Sequence, residues 1–293
     1  DPHLQAAHRA FPWIVTWDDH DVENNYAGDV SSVRTPPATF RQQRTAAYQA
    51  WYEHMPMRIE PPDGPDVRIY HDVGVGDLLR LYVLDERQYG DPPPCRDTTP
   101  SDTGPGCPGR DDPDDTFLGE EQERWLAEGL ARPGTTWNVL AQQVMMAGLD
   151  ISGGTGAPAY YLDSWDGHPA ARSRLLDLVA GEEVSNPVVL TGDYHAAFVA
   201  DLRAEPFGAD TPVVATELIT PAISSALFSQ DFTAANPHIG YFAARHGYLV
   251  CTVERERWTA DFRYVSDVAD PDATIETGAS FVIEAGRPGA RPV

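Results

Sequence analysis

The chain reads as an α/β protein, a layered sandwich of mixed β-sheets flanked by helices. Apolar, β-rich runs alternate with helix-like segments before strands take over beyond Val188, the pattern of a layered α/β fold. Two of the apolar runs, Trp13-Ile14-Val15-Thr16 and Pro187-Val188-Val189-Leu190, end in clusters of acids and histidines. Strand ends are where open α/β sheets place their chemistry. A third observation is negative: no internal repeat is visible, so the strands belong to one architecture.

Each element follows from local signals. Residues 13–16 read as a buried strand. Thr35 or Pro36 suits a helix start, and Phe40, Ala47, Tyr48 and Trp51 lie near helical spacing in a helix over 39–55. Residues 67–71 and 78–84 read as strands joined by the turn Gly74-Val75-Gly76-Asp77. Residues 90–115, rich in Pro, Gly and Asp, read as a long surface loop. A helix over 118–131 turns Trp125, Leu126 and Leu130 inward and carries Glu120, Glu121 and Glu123 near its N-terminus. A strand over 137–141, a Gly/Ser/Tyr-rich loop to Asp166 and a helix over 169–180 follow, then strands ending in a hairpin around 246–265.

A chain of 293 residues can bury one large core, or a core with appendages. No apolar stretch approaches the roughly 18–20 residues that span a bilayer. The chain begins at Asp1 without Met and so reads as processed or as a fragment; any export signal would lie upstream. Forty-five acids against 21 bases leave a formal charge of -24. That disfavours a nucleic-acid partner, whose affinity comes largely from Lys and Arg. It also repels anionic substrates, unless bound cations reverse the sign locally.

Cys95 and Cys107 flank a polar, Pro/Gly-rich segment that packing alone would not hold. A disulfide there would contribute roughly 3 kcal/mol and implies an oxidising compartment, secreted or periplasmic. Spacing alone does not prove the pairing, and two unrelated surface cysteines also fit. Cys251, within a β-rich run, reads as a small core residue.

The two clusters carry the chemistry. The first, Asp18-Asp19-His20-Asp21-Val22-Glu23-Asn24-Asn25, crowds like charges that repel unless water or a cation screens them. The second, Gly192-Asp193-Tyr194-His195, spaces Asp193 and His195 at i, i+2, which on an extended segment points both to one side. Gly192 would let backbone approach closely. A solvated turn with helix caps explains one such cluster, but two of matching design suggest a metal site. Asn24 and Asn25 suit a turn tied down by its side chains, with Asn25 also a candidate beside metal or substrate. No serine sits in a Gly-x-Ser-x-Gly context that would supply a rival nucleophile.

The runs TWDDHDVENN and GDYHAAFV, with LYVLDERQY and WNVLAQQVMMA between them, resemble the alkaline phosphatase D (PhoD-like) family of metallophosphoesterases. The resemblance continues through SWDGHPAARSRLL, TELITPAISS and HGYLVCTVERERWTADFRYV and keeps the family's order. It implies a single metallophosphoesterase-like catalytic domain, of which residues 1–293 are the C-terminal major part. It also implies Asp19, Asp193 and His195 as metal ligands and His20 as the phosphate contact, with Asp18 orienting His20 or a water. Hard cations follow from carboxylate oxygens, by resemblance Ca²⁺ and Fe³⁺, with Mn²⁺ or Zn²⁺ as substitutes. Asp85 and Arg87 resemble the family's Asp-Thr-Arg and read first as a structural ion pair, then as a pair that positions substrate. Trp165, Asp166 and His168 would edge the pocket. Tyr194 stands where the family often has arginine. The family's upstream Cys and Gly-Asp-Tyr ligand segments have no counterpart after Asp1, so the missing N-terminal part of the same protein is an expected partner. The reaction implied is hydrolysis of phosphate mono- or diesters by a metal-activated hydroxide, with two alternatives: a phospholipase D-like lipid diesterase and a non-catalytic acidic metal-binding module.

Overall fold

The computed structural model describes residues 1–94, 102–208 and 210–293. Helix α1 (Pro2–Ala10) opens the chain, with the Asp1 carboxylate accepting from the His3 and Leu4 amides. Helix α2 (Pro37–His54) precedes the hairpin β1 (His71–Val75) and β2 (Leu79–Val83). A single turn α3 (Glu86–Tyr89), the short strand β3 (Thr103–Gly104), helix α4 (Gly119–Leu130) and strand β4 (Trp137–Gln142) follow. Next come β5 (Tyr160–Tyr161), α5 (Pro169–Val179), β6 (Pro187–Thr191), β7 (Ala197–Arg203), β8 (Val213–Ile219) and β9 (Ile239–Ala243). The last four strands are β10 (Gly247–Val253), β11 (Arg257–Val265), β12 (Ile275–Glu284) and β13 (Arg287–Pro292).

These strands build a seven-stranded mixed sheet, order β1-β2-β4-β6-β8-β7-β9, and a four-stranded antiparallel sheet, β10-β11-β12-β13. Strands β2, β4, β6 and β8 run parallel. Their sequences are apolar nearly throughout because both faces are covered. Leu140, Val189, Phe198 and Ile219 enter a core shared with Leu126 and Leu130 of α4 and Leu175 and Leu176 of α5. Their neighbours Val139, Val188, Val199 and Leu218 point the other way, onto Trp258, Phe262, Phe281 and Ile283 of the second sheet. The layers are therefore helices, large sheet, small sheet. A third cluster packs Trp17 against Tyr48 and Trp51 of α2 and Val67 and Ile69 of the segment between α2 and β1.

Two expected strands are corrected. Residues 13–16 form none: Trp13 and Ile14 are exposed, and the Trp13 indole donates back to the Ala7 carbonyl of α1 (3.2 Å). Strand β2 is already paired on both sides, so this segment meets the sheet only at its end, where Thr16 Oγ1 donates to the Leu84 carbonyl (3.2 Å). Residues 67–70 likewise precede the ladder. The Gln88 side chain accepts from the Val67 amide (2.8 Å) and donates to its carbonyl (2.7 Å), replacing a partner strand. Helix α1 was not anticipated, although Asp1 followed by Pro2 is a capped start. Within 90–115, residues 95–101 lie outside those described, and with them Cys95 of the expected bridge. Among the described residues no helix is long and apolar enough to cross a membrane.

Candidate metal centre

Parallel strands β2 and β6 deliver the centre from their C-terminal ends, β2 through Arg87 and β6 through Asp193. After Thr191 the chain bends rather than extending. The Tyr194 amide donates to the Gly192 carbonyl (2.7 Å), and Asp193 and His195 both adopt left-handed backbone, φ 61° and 56°. The expected extended i, i+2 geometry is therefore corrected. Both side chains still line one cavity because Tyr194 between them is buried, its ring edge-on to Phe198 and Phe228 (5.0 and 4.9 Å). Left-handed backbone at residues with a Cβ costs on the order of 1–3 kcal/mol each and persists only where the surroundings enforce it. Gly192, by contrast, has room for a Cβ, whose nearest neighbour would be the Gln143 carbonyl at 3.8 Å. Its expected role in close backbone approach is not required.

The other half of the cavity comes from the loop after Trp17. The Trp17 ring stacks on Tyr48 (4.1 Å), and its indole donates to Asp85 Oδ1 (3.1 Å). That anchor fixes the 3₁₀ turn Asp19–Asp21. The buried Asp19 carboxylate accepts from its neighbour's amide at His20 (2.8 Å) and from the Asn25 amide (2.6 Å). Asn25 has left-handed backbone, φ 55°; its Nδ2 donates to Asp102 (2.7 Å) and its Oδ1 accepts from the Tyr161 hydroxyl (3.4 Å).

Carboxylate oxygens of Asp18, Asp19 and Asp193 lie within 4.8 Å of one another. One guanidinium stands against them. Arg87, fully buried, donates to Asp163 (2.6 Å) and lies 3.5 Å from Asp193 and 3.9 Å from Asp19. Burial alone would lower the Arg87 pKa, but the charges of Asp163, Asp193 and Asp19 hold it well above its ordinary value. Burial also works against ionised Asp19, yet Arg87 and the Asn25 amide outweigh it and keep this carboxyl below its usual range. The other two go the opposite way. Burial and the charge of Asp19 push Asp18 up to about 7, and burial raises Asp193 well above the carboxylate range despite Arg87. Three carboxyls this close cannot all ionise on one guanidinium, so they share protons.

This donor set suits a hard cation: three carboxylates converge, and a cation would replace the shared protons. His195 adds a nitrogen at the same cavity. Its Nδ1 lies 2.6 Å from the Ala226 carbonyl, an acceptor only, so Nδ1 carries the proton and Nε2 keeps its lone pair, the tautomer that binds metals. The cavity encloses about 410 Å³. Asp19, His20, Asn24 and Asn25 line one side, Asp193 and His195 another, and Thr103, Tyr161, Phe228 and Gln230 complete it.

Of the residues expected here, Asp19, His20, Asn25, Asp193 and His195 meet at this cavity. Asp18, expected only to orient its neighbours, joins the carboxylate group, whereas His195 stands outside it. Three expectations are corrected. Asp85 does not pair with Arg87; it caps α3 and accepts from Trp17, Gln88 and Gln143. Asp166 is buried against Arg172 (2.7 Å) and accepts from the Leu149 amide (2.8 Å), and it does not line the cavity. His168 is buried beside Asp115 (2.8 Å) and stacked on Phe117 (4.2 Å), and Trp165 donates to Gln142 (2.9 Å) in the core. Residues missed from sequence include Asp102, Thr103, Tyr161, Asp163 and Phe228. Each sits outside the two clusters along the chain, and Asp163 adjoins the run SWDGHPAARSRLL, where Trp165, Asp166 and His168 drew the expectation instead.

The layered α/β fold with a carboxylate-rich cavity at parallel strand ends defines an α/β protein built around an acidic group that could hold a metal ion. Comparison with known proteins places it more closely. The family model described as PhoD-like phosphatase matches residues 1–262. The chain is 41% identical, over an alignment of 303 residues, to alkaline phosphatase D of Bacillus subtilis (strain 168), covering 100% of this chain and 51% of that protein. It also matches a solved structure described as "Structure of PhoD" with a TM-score of 0.93 and 40% identity, covering 100% of this chain and 57% of that one. The chain belongs to the PhoD-like phosphatase family, and it spans about half the length of the curated relative it matches.

Proposed function

We propose that this chain hydrolyses phosphate esters, mono- or diesters, at the cavity between Asp19 and Asp193. The convergence of three carboxylates beside two histidines on one cavity carries the reading. Asp18, Asp19 and Asp193 would hold cations, with His195 Nε2 as a nitrogen donor; Ca²⁺ and Fe³⁺ are favoured by family membership, with Mn²⁺ or Zn²⁺ as substitutes. A cation held there supplies Lewis acidity toward a phosphoryl oxygen and lowers the pKa of water at the site. The chain's own groups do the rest. His20, exposed at the cavity mouth, reaches a phosphoryl oxygen or protonates the leaving alkoxide. Asn24 and Gln230 offer neutral amide donors to the remaining oxygens. Arg87 stays behind the carboxylates, so it balances their charge and does not touch the ester. Export to an oxidising compartment and a Cys95–Cys107 bridge belong to the same proposal.

The test strips the protein with a chelator, then titrates back Ca²⁺, Mn²⁺, Fe³⁺ and Zn²⁺ while following an aryl phosphate monoester and a diester. Asp19→Asn and Asp193→Asn should each weaken cation binding by about tenfold or more and lower turnover in step. Unchanged affinity and turnover in either variant, or cation binding with neither ester cleaved, would refute the reading.

A further inference from the structure

The cavity has two kinds of lining. Asp19, Asn25, Asp193 and both histidines make up its polar face, whereas Ile151, Tyr161 and Phe228 offer partly exposed apolar surface. Behind them Tyr194 and Phe232 are buried and act as backing. The rings form a connected series: Tyr161 to Tyr194 at 6.4 Å, Tyr194 to Phe228 at 4.9 Å and Phe228 to Phe232 at 6.0 Å. Edge-on and tilted pairs of this kind hold one another in place.

This wall is also tied to the polar face. The Phe228 amide donates to the His195 carbonyl (3.2 Å), and His195 Nδ1 donates to the Ala226 carbonyl (2.6 Å). The ring surface therefore stands at a fixed offset from the histidine that would face a cation. No lysine or arginine lines the cavity among the described residues, and the chain carries a formal charge of -24. An ester whose alcohol bears further negative charge would find no partner here and would meet a repulsive field. An uncharged apolar alcohol would instead displace water from the rings.

We infer that Ile151, Tyr161 and Phe228 form the subsite for the alcohol portion of the substrate, so that the site takes phosphate esters of uncharged, largely apolar alcohols. This rests on the phosphate-ester reading above. Substrate-like phosphonates test it because they bind without being cleaved. Methyl-, propyl-, hexyl- and phenylphosphonate, with 3-phosphonopropionate as the charged counterpart of the propyl compound, are titrated calorimetrically into the whole chain with Mn²⁺.

From methyl to propyl the Kd should fall about threefold per methylene and then level off as the cavity fills. Phenylphosphonate should bind more tightly than methylphosphonate, and 3-phosphonopropionate more weakly than propylphosphonate. Phe228→Ala should flatten the gradient, and Phe228→Leu should retain part of it, with thermal melts confirming that both fold. Equal affinity across the neutral series would overturn the subsite while leaving the phosphate-ester reading intact. Cation binding without affinity for any phosphonate would overturn both.

Discussion

Replacing Arg87 by methionine removes a guanidinium that faces Asp163, Asp193 and Asp19, and keeps most of its volume. Arg87 and Asp163 are both buried, so water cannot take over the lost interaction. Stripping one partner from a buried ion pair costs about 3–5 kcal/mol. Unfolding entropy for a chain of this size is about 0.6 kcal/mol per degree, so a loss of about 4 kcal/mol lowers Tm by about 6–7 °C. The carboxyls can relieve part of this by taking up protons, which makes the loss larger at pH 8 than at pH 5. A bound cation neutralises the same group, so the loss should shrink when Mn²⁺ is present. Thermal melts of wild type and Arg87→Met at both pH values, with chelator and with Mn²⁺, measure all of this. A variant melting within about 1 °C of wild type at pH 8 in chelator would refute the charge balance. An equal loss with and without Mn²⁺ would show that Arg87 and the cation do not act on the same carboxylates.

Two further outcomes follow from side chains near the centre. Burial, assisted by the charge of Asp85, pushes the fully buried Glu86 carboxyl from 4.5 up to about 8. Its contribution to stability is complete below pH 4.5 and lost as pH rises through about 8, on the order of 5 kcal/mol at most; Glu86→Gln should flatten urea midpoints between pH 5 and 8, and an unchanged slope would sink the assignment. For the histidines, His195→Ala should weaken cation binding, whereas His20→Ala should keep its cation and lose about two to four orders of magnitude in kcat; cation content and kcat measured on both variants would expose an exchange of roles.

The parallel strands were legible because both faces of the large sheet are covered, which makes residues 187–190 apolar and keeps 139–141 apolar within the strand 137–142. The two acidic clusters were legible because like charges packed so densely along a chain repel one another unless a cation or water screens them. Trp13-Ile14-Val15-Thr16 misled because strand propensity measures fit to a pleated surface, and β2, whose end it meets, is already paired on both sides. Asp85 and Arg87 misled for a local reason. Asp85 is the cap of α3 and Arg87 lies in its first turn, and residues two apart on a helical turn do not face each other. Asp163 and Phe228 reach the centre only through tertiary folding, so no window along the chain could join them to Asp19 or His195.

An acidic chain is compatible with the proposed anionic ester substrate, because the relevant field is local. Among the described residues Asp18, Asp19 and Asp193 converge beside the guanidinium of Arg87, which leaves an excess of negative charge at one point. Without a cation the excess is met by protons, and the pKa of Asp18 at about 7 and the high value of Asp193 record that compromise. Their cost is largest where the carboxyls are least solvated, so it creates a drive to bind a multivalent cation there. A cation held by these carboxylates would set the potential a phosphoryl group meets at contact. The surface charge acts mainly beyond about 8–10 Å in physiological salt, where screening weakens it. Arg87 thus limits the cluster's excess charge and the carboxylates make it attractive to a cation, which on the proposed function leaves the histidines and ring wall to handle the ester itself.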